Sequence, residues 1–135
     1  MTTAPSQKFY SACRTGRVEA VEGYLSDGVS PESRDSNNLT GLIWAGRKGH
    51  IGVAEVLLNG GANIEAADNR GRTALFHAVT YQRYEFVKFM VERGANVNPV
   101  DCHGWSPLDF SASSRHKKMS ELLVELGGKS AKHVA

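Results

Sequence analysis

The stretch that decides the fold is Asp68–Val100, DNRGRTALFHAVTYQRYEFVKFMVERGANVNPV. It opens on Asp68-Asn69-Arg70-Gly71-Arg72, a polar run bearing a glycine, the composition of a tight turn. Thr73 then stands where an N-cap belongs, ahead of Ala74-Leu75-Phe76-His77-Ala78-Val79, which reads as a short helix. A second helix is expected from Tyr84 to Val91, apolar except for Glu85 and Lys88, and Gly94 falls where a left-handed helix end is needed. Neither helix is long enough to be stable alone in water, so each must bury an apolar face against neighbours.

Those neighbours are copies of the same unit. Gly28, Gly61, Gly94 and Gly127 are spaced 33 residues apart, as are Ala12, Ala45, Ala78 and Ser111, and Phe9, Leu42, Leu75 and Leu108. Asp35, Asp68 and Asp101 keep the same interval. A fixed period of this length means stacked supersecondary units with a continuous core. The aligned columns Leu25/Leu58/Val91/Val124, Tyr24/Leu57/Met90/Leu123, Gly23/Val56/Phe89/Leu122 and Ala20/Val53/Phe86/Met119 are the expected interlocking positions.

The recurring segments carry a family resemblance: Thr40-Gly41-Leu42-Ile43-Trp44-Ala45, Thr73-Ala74-Leu75-Phe76-His77-Ala78, Ser106-Pro107-Leu108-Asp109, the step Gly49-His50, and the closures Gly61-Ala62-Asn63-Ile64 and Gly94-Ala95-Asn96-Val97-Asn98. Together they resemble the ankyrin repeat over about residues 7 to 128. The resemblance implies an all-α ankyrin-repeat solenoid of four helix-turn-helix units joined by β-hairpin-like turns. The expected boundaries are a flexible start at 1–6, an N-terminal capping repeat at 7–34, inner repeats at 35–67 and 68–100, a C-terminal capping repeat at 101–128, and a flexible tail at 129–135.

Departures from the family pattern carry their own expectations. Asp109, three residues after Ser106, is placed to complete a capping box. Gln82 and Arg115 replace the glycines of the inter-helix step, at about 1 kcal/mol each if the backbone stays left-handed. Lys117, Lys118 and Ser120 give the last unit the polar outer face of a cap, so the stack reads as complete and monomeric.

Composition narrows the function classes. The chain has 135 residues, 41% apolar and 22% charged, with a formal charge of +2. That charge is too mild to argue for nucleic acid by itself. Cys13 and Cys102 form no C-x-x-C pair, so neither a disulfide framework nor a zinc site is supported. No apolar run approaches a membrane span and MTTAPSQK lacks a signal's apolar region, which makes the cytosol, and secondarily the nucleus, the expected compartment.

No catalytic constellation emerges from His50, His77, His103, His116 and His133, which occupy different registers. His50 reads as a structural residue. Gly127-Gly128-Lys129-Ser130 mimics the end of a phosphate loop, but Leu123 stands where the first glycine is required, so it reads as a helix stop. No enzyme, cofactor or metal is expected.

The resemblance also implies a concave binding surface built from turn tips and first helices, used to hold another protein. Carried over residue by residue, the candidate contacts are Asn37 and Leu39, Arg70 and Arg72, and His103 and Trp105 from the tips, with Arg14, Arg47, Lys48, Tyr81, Ser113 and Ser114 from the helices. Arg14, Arg47, Lys48, Arg70 and Arg72 put five cations on this face and no carboxylate is among these positions, so an acidic partner segment is the leading expectation. Trp105 is read as an exposed anchor, with Tyr81 as a second. The alternative is a nucleic acid or other polyanion stacked on Tyr81 and Trp105.

Overall fold

A computed structural model describes residues 7–131. It holds eight helices in four pairs: α1 (Gln7–Thr15) with α2 (Val18–Ser26), α3 (Gly41–Lys48) with α4 (Ile51–Asn59), α5 (Ala74–Thr80) with α6 (Tyr84–Glu92), and α7 (Pro107–Ser113) with α8 (Lys117–Glu125). The starts follow the sequence. The Thr40 hydroxyl accepts from Ile43 N at 3.1 Å and that of Thr73 from Phe76 N at 3.3 Å. Ser106 and Asp109 form the reciprocal box, Asp109 N donating to the Ser106 hydroxyl and Ser106 N to the Asp109 carboxylate. Each cap satisfies amide groups that the first helical turn leaves without partners.

The second helices end alike. At Gly61, φ is +99° and the next amide, Ala62 N, returns to Leu57 O at 3.0 Å. This left-handed closure turns the chain toward the next repeat. Gln82 and Arg115 keep the left-handed backbone, with φ of 57° and 60°. Between units the chain folds back as narrow hairpins, with isolated bridges Arg34–Thr40 and Ala67–Thr73 and a matching Asp101 N to Trp105 O bond of 2.9 Å.

One core runs the length of the stack. Leu57, Met90 and Leu123 are fully buried, as are Val53 and Met119 and, within 1%, Phe86. Ala45 and Ala78 are fully buried where first helices meet, and Ser111 takes that place in α7 by bonding Ser120 Oγ at 2.8 Å. The column of Leu25, Leu58, Val91 and Val124 is not uniform. Leu25 lies against Gly60 of the next unit, whereas Val124 has no following unit among the described residues and is 60% exposed. Gly23 is exposed as well, so the third column is core only in part.

Polar latches cross each joint. Asn63 N donates to the Glu32 carboxylate, Asn96 N to that of Glu65, and Lys129 N to the Asn98 amide oxygen, each at 2.7 Å. Residues 129–131, expected to belong to a flexible tail, are instead anchored. The Ser106 hydroxyl donates to Lys129 O, while Ser130 Oγ and Ala131 N both donate to the Asp109 carboxylate. The expectations for 1–6 and 132–135 lie outside the described residues.

The first helices pack closely on one another and the second helices much less so, most sparsely toward α6 and α8. The side of the stack that carries the first helices and hairpin tips is its inner face.

Candidate functional site

The inner face is organised by the three tip aspartates. One oxygen of each builds its own turn. Asp35 Oδ1 accepts from Asn37 N and Leu39 N, Asp68 Oδ1 from Arg70 N and Arg72 N, and Asp101 Oδ1 from His103 N and Trp105 N, all at 2.9–3.0 Å. The other oxygen is left for the side chain nine residues on, in the following helix. In the second repeat that side chain is Trp44, whose Nε1 donates to Asp35 at 2.7 Å; in the third it is His77, whose Nε2 meets Asp68 at 2.7 Å. In the fourth it is Phe110, which has nothing to donate. Asp101 takes Arg72 of the preceding tip instead, with Nε at 3.2 Å.

Titration follows from these partners. Burial pushes the Asp68 carboxyl up, but bonds from Arg72 N, His77 and Arg70 N outweigh it and hold it below the usual carboxylate value. Burial lowers the His77 imidazole, outweighing the opposing pull of the Asp68 carboxylate that its Nε2 meets. Asp101 is lowered too, burial being outweighed by Trp105 N, His103 N and the Arg72 guanidinium.

Two clusters result. In the first, the Arg47 guanidinium lies 4.7 Å from the Trp44 ring centroid and 5.0 Å from that of Tyr81, and its Nη2 donates to the Tyr81 hydroxyl at 2.7 Å. The Arg14 guanidinium lies 5.3 Å from the same Trp44 ring. These are cation–π distances, and they span three successive first helices. The second is a cleft of about 580 Å³ lined by Arg72, Asp101, His103, Trp105, Phe110, Ser113 and Ser114. Its Arg72 guanidinium also covers the Phe76 and Phe110 rings at 4.7 and 5.4 Å.

Most of the positions expected from the sequence are thus gathered, into two places. Arg14, Arg47 and Tyr81 meet at Trp44, while Arg72, His103, Trp105, Ser113 and Ser114 share the cleft. Asn37 and Arg70 are exposed on the tips, close to neither ring cluster by any bond of their side chains.

Four placements differ from the simple picture of an exposed, uniformly cationic face. Leu39 is only 6% exposed and belongs to the core. Lys48, at the end of α3, lines a separate cleft with Arg83, Tyr84, Phe86 and Lys118. Trp105 is half-buried in the cleft wall rather than exposed. Asp101, which is not among the expected positions, compensates Arg72, so the five cations are not all unpaired. Trp44 was missed as a site residue. The signal was present as an aspartate followed nine residues later by a donor-bearing ring.

The histidine of the inter-helix step is structural, His50 Nε2 lying 2.9 Å from Arg14 O. In the next unit Arg83 Nε reaches Arg47 O at the same distance and takes that place. Among the described residues, no three His, Cys, Asp or Glu side chains gather as metal ligands, and no helix is long and apolar enough to cross a membrane.

A family model for ankyrin repeats, three copies long, matches residues 9–101 and again 68–133. The chain belongs to the ankyrin-repeat family. No curated protein matches it. Ankyrin repeats are general protein-interaction modules, and the inner face described above is built from the tips and first helices of four of them.

Proposed function

We propose that this ankyrin-repeat protein is a non-catalytic adaptor or inhibitor that holds an extended acidic segment of another protein along its inner face. One observation carries the reading: rings and arginines line up on consecutive first helices, from Arg14 through Trp44, Arg47 and Tyr81, and lead to a cleft walled by Trp105 and Phe110. Tryptophan, tyrosine and arginine are the side chains that dominate protein interfaces. Here they are held by neighbouring side chains, which lowers the entropy lost on binding. Positive charge in a groove raises the rate at which an acidic partner arrives and favours it over neutral competitors.

The test is partner capture from native lysate by the wild type, by Trp105→Ala and by an outer-face control, Lys118→Glu, followed by titration of the captured protein. Trp105→Ala should weaken binding by about 2 kcal/mol while remaining folded at the assay temperature, and the control should bind normally. Binding lost in the control and kept in Trp105→Ala would place the interface on the outer helices and refute the reading.

A further inference from the structure

The arginines of the inner face are not equivalent. Arg72 is compensated by Asp101. Arg14 and Arg47 have no ion pair among the described residues, although both are drawn to one indole ring. Arg47 is the more constrained. Two rings flank it, Tyr81 fixes Nη2, and its Nε is buried without a partner. A guanidinium partly withdrawn from water and short of acceptors is stabilised when an anion arrives, and a preset planar fork suits a carboxylate.

The local charge says which anion. Asp35 contacts the same indole through Trp44 Nε1, while its other oxygen is taken by the turn. Two arginines and one aspartate leave a single positive charge. A monoanionic carboxylate balances it, whereas a phosphate dianion overshoots. The distance to the second cluster sets a spacing. Trp44 on α3 and Phe110 on α7 are separated by two helix-to-helix steps, roughly 16–20 Å at ordinary packing distances. An extended chain covers this in about 5–6 residues.

We propose that Arg14 and Arg47, converging on Trp44, form a carboxylate subsite that takes one Asp or Glu side chain of an extended partner segment, about 5–6 residues from the apolar side chain that enters the Trp105–Phe110 cleft. The proposal rests on the inner face being the binding surface, and it assigns the acid-reading role within that face.

A random dodecapeptide library selected on the wild type tests it, with the best binder then synthesised and titrated by fluorescence. The selected peptides should share an acid and an apolar residue at that spacing. Replacing the acid by its amide should weaken binding to the wild type about 10-fold and binding to an Arg14→Gln/Arg47→Gln variant less than about 2-fold. Arg47→Lys, which keeps the charge and loses the fork, should fall between them. Circular dichroism establishes that each variant is folded.

Peptides lost in Trp105→Ala but indifferent to their acid would overturn the subsite and leave the inner face standing. So would tighter binding when phosphoserine replaces the acid, or an equal amide penalty in the double variant. If no peptide is selected, or those selected ignore every inner-face substitution, both the subsite and the binding face fall.

Discussion

Gly16 and Gly49 have nearly the same backbone, with φ of +78° and +79°, and differ in what a side chain would meet there. An alanine Cβ at Gly49 comes 3.2 Å from Arg83 Cδ, on an aliphatic stem that has to give by only a few tenths of an ångström and can do so with its Nε still bonded to Arg47 O. At Gly16 it comes 2.7 Å from His50 Nδ1 and 2.9 Å from Cε1, on a ring fixed by its bond to Arg14 O. The left-handed strain is common to both, about 1–2 kcal/mol, and the stiffer unfolded chain returns about 0.4–1 kcal/mol. Gly49→Ala should therefore cost about 1 kcal/mol. Gly16→Ala adds a displaced ring and a lost hydrogen bond, for a total of about 2–3 kcal/mol. At roughly 4 °C per kcal/mol for a chain of this length, thermal melts followed by circular dichroism should fall by about 4 °C and about 10 °C. Equal losses at the two positions would refute the reasoning, since backbone strain alone would then account for both.

Leu39→Ala should destabilise by about 2–4 kcal/mol in urea melts while Asn37→Ala stays within about 0.5 kcal/mol; a stable Leu39→Ala that had lost its partner would return Leu39 to the binding face. Burial pushes the Cys13 thiol up to about 12, whereas Cys102 is exposed. A thiol-reactive dye should accordingly label one cysteine in the folded protein and two after denaturation, and rapid labelling of both in native buffer would contradict the buried assignment. At Asp109, burial acts to raise the carboxyl, but bonds from Ser106, Ser130 and Ala131 outweigh it and hold it at about 2, below the ordinary 3.8. A depressed carboxyl contributes stability that is complete above the ordinary value and is lost as pH falls through the folded one. The melting-temperature gap between wild type and Asp109→Asn should therefore narrow between about pH 5 and pH 2, and a constant gap would show that the charge is not what matters.

The fold was readable because each repeat states its own ends. Thr40, Thr73 and Ser106 announce helix starts, Gly61 and Gly94 announce stops, and the 33-residue interval fixes the stacking. The register also marked Gln82 and Arg115 as the places where a left-handed backbone would be strained, and both are left-handed. The face was harder to read because register gives a position in the repeat but not the direction or partner of a side chain. Leu39, Arg72 and Trp105 are equivalent in sequence, yet one is core, one is ion-paired and one walls a cleft. For Arg72 the difference traces to the residue nine beyond the next tip aspartate, since Phe110 has nothing to donate and Asp101 takes the guanidinium instead. The anchored residues 129–131 were illegible for a similar reason, because their partners Asn98, Ser106 and Asp109 lie 21 to 31 positions back.

The spare oxygen of each tip aspartate has a wider consequence. Oδ1 is committed to the hairpin and is indifferent to which neighbour Oδ2 selects, so exchanging a phenylalanine for an indole or imidazole at Phe110 would release Arg72 without touching the turn that carries it. The electrostatic character of the groove can in this way be rewritten one repeat at a time while its contour stays put. A single scaffold could therefore drift toward differently charged clients by substitutions that never contact them.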